Sequence, residues 1–228
     1  MRADKEQVTE ILQHFPLFEG FEEAQVRELA NYAQYQRAGK HSTIFREGSR
    51  ADRIYFLIKG VVKIGTHSSD GREVIKHVLH PLALFGELSL AGEQERQDFA
   101  AAMNQEVELL CLKVNDIQNF MKSDHRLAIR ILNFIGRRLQ KAESRLESLL
   151  FKDARERIIE FLKESASKHG KRIGYEMLIK HSLTQQDIAN ITGTSRQTVT
   201  SVLNDLKKSN LIHFNRRSIL IRDMGRLA

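Results

Sequence analysis

The stretch LTQQDIANITGTSRQTVTSVLNDLKK, residues 183–208, holds two helix starts separated by a glycine. Thr184-Gln185-Gln186-Asp187 has the spacing of a capping box, in which the Thr184 hydroxyl accepts from the amide at Asp187 and that carboxylate reaches back. Leu183 and Ile188 flank the cap as a hydrophobic staple. The spacing predicts a short helix to about residue 191, a sharp turn at Gly193, and a second helix capped by Ser195 and running towards Lys208.

On a wheel of about 100° per residue with Arg196 at zero, Val199, Val202, Leu203 and Leu206 fall between roughly 240° and 340°. Arg196, Gln197, Thr200 and Ser201 fall between roughly 0° and 140°. The second helix therefore buries one side and presents a guanidinium, an amide and two hydroxyls on the other. A helix-turn-helix needs such a helix, because its first turns reach base edges while its amide-rich start faces phosphate. A plain helical hairpin with a solvated polar face is the alternative. Residues 211–214 and 217–221 read as two short strands around a basic turn, a wing on which Arg216 and Arg217 can grip a nucleic-acid backbone. A winged helix-turn-helix fits both features.

The charge is uneven in the same sense. Residues 1–123 carry 15 Lys and Arg against 18 Asp and Glu, whereas residues 151–228 carry 15 against 8. The basic excess lies with the helix-turn-helix and implies a polyanion partner. The single cysteine, Cys111, excludes an intramolecular disulfide and an all-cysteine iron–sulfur site. It sits in the apolar run Leu109-Leu110-Cys111-Leu112, as a buried thiol would, and no nucleophile–base pairing suggests an enzyme. No apolar run approaches the ~20 residues of a membrane span, so a soluble, cytoplasmic protein is expected.

From the N-terminus, Val8, Ile11, Leu12 and Phe15 have helical spacing, and a second helix is expected over 22–34. From Gly39 the period changes to that of short strands with turns at Lys59-Gly60 and Ser68-Ser69-Asp70-Gly71, continuing to about Val114. This predicts an antiparallel roll or barrel. Within it, Gly86 lets amides approach a ligand, Glu87 can accept from sugar hydroxyls, and Arg96 can pair with a phosphate. A structural Gly–Glu turn with a surface arginine is the alternative. None of the nine histidines has a partner at metal-ligand spacing.

The longest helix is expected over 124–150, with Leu127, Ile131, Ile135, Leu139, Ala142, Leu146 and Leu149 close to a coiled-coil seam and Phe134 widening it. Such a seam suits a homodimer, since two reading heads demand a palindromic site. The fold class is α+β: a β-roll over 1–122, a dimerisation helix and hinge over 123–151, and a winged helix-turn-helix over 152–228.

Roll, long helix and winged helix-turn-helix, in that order, resemble the Crp/Fnr superfamily of bacterial transcription regulators. The sensor matches rest on Gly39, Ile44-Phe45-Arg46-Glu47-Gly48, Ile54-Tyr55-Phe56, Gly60, Val62-Lys63, Asp70-Gly71 and Phe85-Gly86-Glu87-Leu88. Those in the DNA-binding domain rest on residues 183–189 and 193–199. The resemblance implies a homodimer on a palindromic operator in double-stranded DNA that recruits or blocks RNA polymerase. It makes Arg196 the guanine reader, Gln197 a substitute for the family's frequent glutamate, and Ser201 the occupant of a second base-contacting position that is an arginine in cyclic-AMP-binding members; Thr200 is expected to read bases because it shares their face of the helix. It makes Thr184, Ser195, Thr198 and Arg217 contacts to the DNA backbone, and Gln185 beside the cap and Arg216 in the basic turn are expected to join them.

The same resemblance places an effector pocket at Gly86, Glu87, Leu88, Arg96, Gln97, Asp98, Ala142 and Glu143. Cyclic-AMP binders follow the phosphate-pairing arginine with a small hydroxyl residue and a small residue, whereas this chain has Arg96-Gln97-Asp98. Ala142-Glu143 stands where the family has an adenine-contacting hydroxyl pair. If a strand follows Glu95, Asp98 shares the face of Arg96 and takes the electrostatic place of the phosphate. Cyclic AMP is therefore expected to bind poorly. The cysteines of the iron–sulfur branch are absent, and the ligand pattern of the haem branch is not recognisable. The competing class is a cyclic-nucleotide module that acts on a protein partner and does not touch DNA.

Overall fold

The computed structural model describes residues 5–103, 105–181, 183–215 and 217–227. Arg216 lies outside them. The chain divides into two units, residues 1–66 with 76–140 and residues 67–75 with 141–228.

The apolar runs Ile54–Ile58 and Leu109–Leu112 lie in β3 (Arg53–Lys59) and β8 (Val107–Lys113), which pair antiparallel with Tyr55 opposite Cys111. Both strands are buried on both faces, which is why their sequences do not alternate. Ile54, Phe56, Leu110 and Leu112 turn to a helical layer, while Tyr55, Leu57, Leu109 and Cys111 turn into the roll. The period of two thus separates two cores that share one sheet. That sheet is completed by β1 (Gln34–Ala38) and β6 (Leu84–Phe85), in the order β1-β8-β3-β6. A second sheet has the order β2-β7-β4-β5, from β2 (Thr43–Phe45), β4 (Val62–His67), β5 (Glu73–Leu79) and β7 (Phe99–Ala102).

The helical layer comprises α1 (Lys5–Gln13), α2 (Glu23–Ala30), α3 (Val114–Ser123) and the start of α4 (His125–Phe151). Phe15 packs edge-on against Phe56 with centroids 5.1 Å apart, and Phe18 stacks on the same ring at 5.7 Å. The second expected helix ends at Ala30, short of residue 34, because Gln34 begins β1. At the α3–α4 junction the Asp124 carboxylate accepts from the Arg126 amide at 3.0 Å and from Gln25 at 2.9 Å. The Arg126 guanidinium holds its pKa down to about 2.

Helix α4 corrects part of the expected dimer seam. Leu127 and Ile131 are buried in the core of their own unit, and Phe134 and Ile135 pack against it. Leu139, Leu146 and Leu149 are exposed, as is Ala142. The helix bears two apolar stripes, and steps of four at its start follow the one that covers the protein's own core.

In the second unit, α5 (Ala154–His169) starts at an Asp153–Glu156 capping box. Strands β9 (Gly170–Ile173) and β10 (Glu176–Lys180) follow, then α6 (Gln185–Thr192), α7 (Arg196–Lys208), β11 (Ile212–Phe214) and β12 (Ser218–Ile221). The expected two-stranded wing belongs to a four-stranded antiparallel sheet, β11-β12-β10-β9. Ile158, Leu162, Ile188, Val199, Leu203, Leu206 and Ile221 form its core.

Candidate DNA-binding face and sensor pocket

The Thr184 hydroxyl accepts from the Asp187 amide at 3.1 Å, and the Asp187 carboxylate accepts from the Thr184 amide at 2.8 Å. Helix α6 ends at Gly193, whose φ of 65° lies in the left-handed region. A Cβ there would stand 3.2 Å from Leu149 Cδ2, so both conformation and space favour glycine. The last carbonyls of α6 lack partners within the helix, and two guanidiniums meet them. Arg157 donates from Nε to Thr192 O at 2.9 Å and from Nη2 to Gly193 O at 3.3 Å, while Arg145 donates to Ile191 O. Arg157 also holds Lys152 O at 2.7 Å, which ties the turn to the start of α5. Sequence reading missed both arginines, since the carbonyls they satisfy leave no mark in residue types.

Ser195 caps α7 by accepting from the Thr198 amide at 3.0 Å. Val199, Val202, Leu203 and Leu206 are buried beneath the helix. Arg196, Gln197, Thr200, Ser201 and Asn204 line a shallow groove on the other side. Asn204, two turns beyond Gln197, extends the expected face. The Thr200 hydroxyl donates to Gln185 Oε1 at 2.7 Å, so that hydroxyl and that amide orient one another. No acidic residue occupies the first turn of α7, leaving its amide end open to an anion. In the wing, Asn215 Oδ1 accepts from the amides of Arg217 and Ser218 at 2.9 and 3.0 Å, which forms the turn and leaves Arg217 exposed.

In the roll, Gly86 has φ of 78° and precedes a 3-10 turn over Glu87–Ala91. A Cβ on it would stand 3.2 Å from Arg53 O and from both terminal nitrogens of Arg96. Arg96 is 3% exposed, lies 4.5 Å over the Phe45 ring, and donates to Gly86 O at 3.0 Å and to Arg53 O. Its ion-pair partner is Glu93, at 3.2 Å. Glu87 is buried and paired with Arg138 of α4. Arg96 Nε and Glu87 Oε2 are buried without hydrogen-bond partners among the described residues. Leu88 and Gln97 are exposed on the rim. Ala142 and Glu143 are exposed on α4, in the other unit.

The expected placement of Asp98 on the face of Arg96 is not what the structure shows. Asp98 instead pairs with Lys76 of β5 at 2.5 Å. The strand after Glu95 begins only at Phe99, so Asp98 is in a bend and the alternation that would align it with Arg96 does not apply. Cys111 is buried, and burial pushes its thiol above the ordinary range, which makes it a poor nucleophile. No helix among the described residues is long and apolar enough to cross a membrane.

Comparison with known proteins matches both halves of the chain. Residues 35–124 match the cyclic nucleotide-binding domain, and residues 156–228 match the Crp-like helix-turn-helix domain. Over 219 residues the chain is 32% identical to the CRP-like cAMP-activated global transcriptional regulator of Mycobacterium tuberculosis, covering 96% of this chain and 97% of that one. It is 30% identical over 183 residues to the global nitrogen regulator of a Nostoc species, covering 80% and 82%. A CooA mutant from Carboxydothermus hydrogenoformans shares the fold, with a TM-score of 0.76 at 23% identity over 92% of this chain and 90% of that one. With both domains matched in order and one relative similar along nearly its whole length, this chain belongs to the Crp/Fnr family of DNA-binding transcription regulators and is not an enzyme.

Proposed function

We propose that two copies of the chain join along α4 and read a palindromic operator, with residues 1–122 as sensor, 123–151 as dimerisation helix and hinge, and 152–228 as DNA-binding domain. The carrying observation is the α7 face, where Arg196, Gln197, Ser201 and Asn204 line one groove over a buried apolar side. Arg196 reads a guanine through its two major-groove acceptors, worth about 1–3 kcal/mol of discrimination. Gln197 offers an amide that pairs bidentately with adenine where a glutamate would favour cytosine. Thr184, Gln185, Ser195, Thr198, Arg216 and Arg217 hold the backbone. The bound dimer acts in the cytoplasm by recruiting or blocking RNA polymerase. Selection from a random duplex library tests this. The expected product is an inverted repeat with one guanine per half-site and a relaxed or A·T-shifted neighbouring pair; a strict G·C preference at that neighbour would refute the role of Gln197.

For the sensor, the two orphaned buried atoms support a small ligand that donates to Glu87 and accepts from Arg96. A cyclic nucleotide offers both functions, through a sugar hydroxyl and a phosphate. Glu93 already pairs with the arginine through Nη1, so an anionic effector that accepts from Nε meets the repulsion of that carboxylate. Cyclic AMP is disfavoured for that reason, in place of the repulsion from Asp98.

A further inference from the structure

One face of α4 leaves large apolar side chains in solvent: Ile129 at 59% exposure, Leu132 at 69%, Leu139 at 59%, Leu146 at 58% and Leu150 at 69%. Gly136 and Glu143, both exposed, fill the gaps between them. The seven positions step by 3, 4, 3, 4, 3 and 4, the spacing of a two-helix seam. This face is rotated away from the stripe that buries Leu127 and Ile131.

We propose that, where two copies join along this face of α4 in register, Glu143 meets the partner's Glu143 and holds the dimer looser than its leucines alone would make it. The proposal rests on the reading that α4 joins two copies, and adds which residues meet.

Three observations favour a second copy of this helix. The spacing is that of a seam between helices of the same period. Gly136 sits mid-helix, where glycine is a poor helix former, yet among the described residues nothing outside its own helical turn lies within 4 Å of where its Cβ would be. Open space at an unfavoured glycine suits close approach by another backbone. Only Lys152 separates α4 from the Asp153 cap of α5, so a parallel pair carries both reading heads at the same end. In-register pairing sets each seam residue against itself, and Glu143 is the charged one.

The helix offers Glu143 no compensation. Its neighbours three and four positions away are Leu139, Gln140, Leu146 and Glu147, none of them basic. The nearest cations on α4 are engaged elsewhere, Lys141 with Glu164 at 3.2 Å and Arg145 with Ile191 O. A polar residue at a single seam position fixes register at a cost in stability. A carboxylate facing its own copy does so with added repulsion.

The test uses the full-length chain in analytical ultracentrifugation and native mass spectrometry. Glu143→Leu is expected to tighten the dimer about tenfold or more. Mixing wild type with Glu143→Lys should give heterodimers well above the statistical half. Leu132→Glu, exposed in the protomer and so harmless to its folding, should yield monomers. Statistical mixing with an unchanged Glu143→Leu dimer would overturn the proposed register while leaving dimerisation intact. Wild type and Glu143→Leu both monomeric at all concentrations would overturn the dimer reading and this proposal with it.

Discussion

Arg96 and Glu93 set the sensor's chemistry at the scale of single residues. The guanidinium is 3% exposed and paired with a carboxylate three positions earlier, so an incoming phosphate meets both the attraction of Arg96 and the repulsion of Glu93. A carboxylate about 5 Å from a phosphate, at an effective dielectric near 20, opposes binding by on the order of 3 kcal/mol. Glu93→Gln should therefore strengthen binding of cyclic AMP by at least about tenfold in calorimetry, whereas Asp98→Ala, which removes the carboxylate paired with Lys76, should not change it. Gain of binding in Asp98→Ala alone would restore the repulsion by Asp98. Of Gly86, Glu87 and Arg96, singled out in the sequence, the structure joins Gly86 and Arg96 by a hydrogen bond and pairs Glu87 with Arg138; the Glu93 partner of Arg96 was not legible, because it depends on how one short loop folds back. His181 carries a pH prediction. Burial lowers its pKa, so the native state favours the neutral ring while the unfolded chain titrates near its ordinary value of about 6.5. The unfolded state thus binds more protons as pH falls, and the stability held above about pH 6.5 is lost below it. Urea midpoints at neutral and mildly acidic pH should diverge less in His181→Asn than in wild type.

The helix-turn-helix is the element whose local chemistry is written most fully in the chain. Capping box, left-handed glycine and serine cap all appear in the structure where the residues placed them, because each depends on contacts within four positions. Strands β9 and β10 were not legible, since the charged, glycine-flanked residues 170–180 carry little alternation. Helix α4 was legible in extent but not in orientation. Two stripes on one long helix look alike until it is known which of them the roll covers. Arg157 is a positioning residue for the turn, through bonds to Lys152 O, Thr192 O and Gly193 O. Replacing it with alanine strands these carbonyls and should cost about 1–3 kcal/mol of stability. It should also weaken operator binding without changing the preferred sequence. Thermal melts and duplex titrations check the two effects, and a changed base preference would mean that Arg157 touches DNA itself.

For the whole molecule, the matching of both domains describes a DNA-binding regulator, the excess of basic residues in 151–228 makes part of its DNA affinity electrostatic, and the proposed function assigns the specificity to α7. The family was legible because many short motifs fall in one order along the chain. The effector was not, because its selection turns on side-chain pairings that the same motifs permit in several arrangements. The most direct measurement is a salt-titrated comparison of wild type and Arg196→Ala on the duplex selected by wild type and on a scrambled duplex. Wild type should prefer the selected duplex strongly. Arg196→Ala should lose about 1–3 kcal/mol per half-site there, and it should bind the scrambled duplex nearly as wild type does. Equal losses on both duplexes would make Arg196 a backbone contact, and no loss on either would contradict the assignment of α7 as the reading helix.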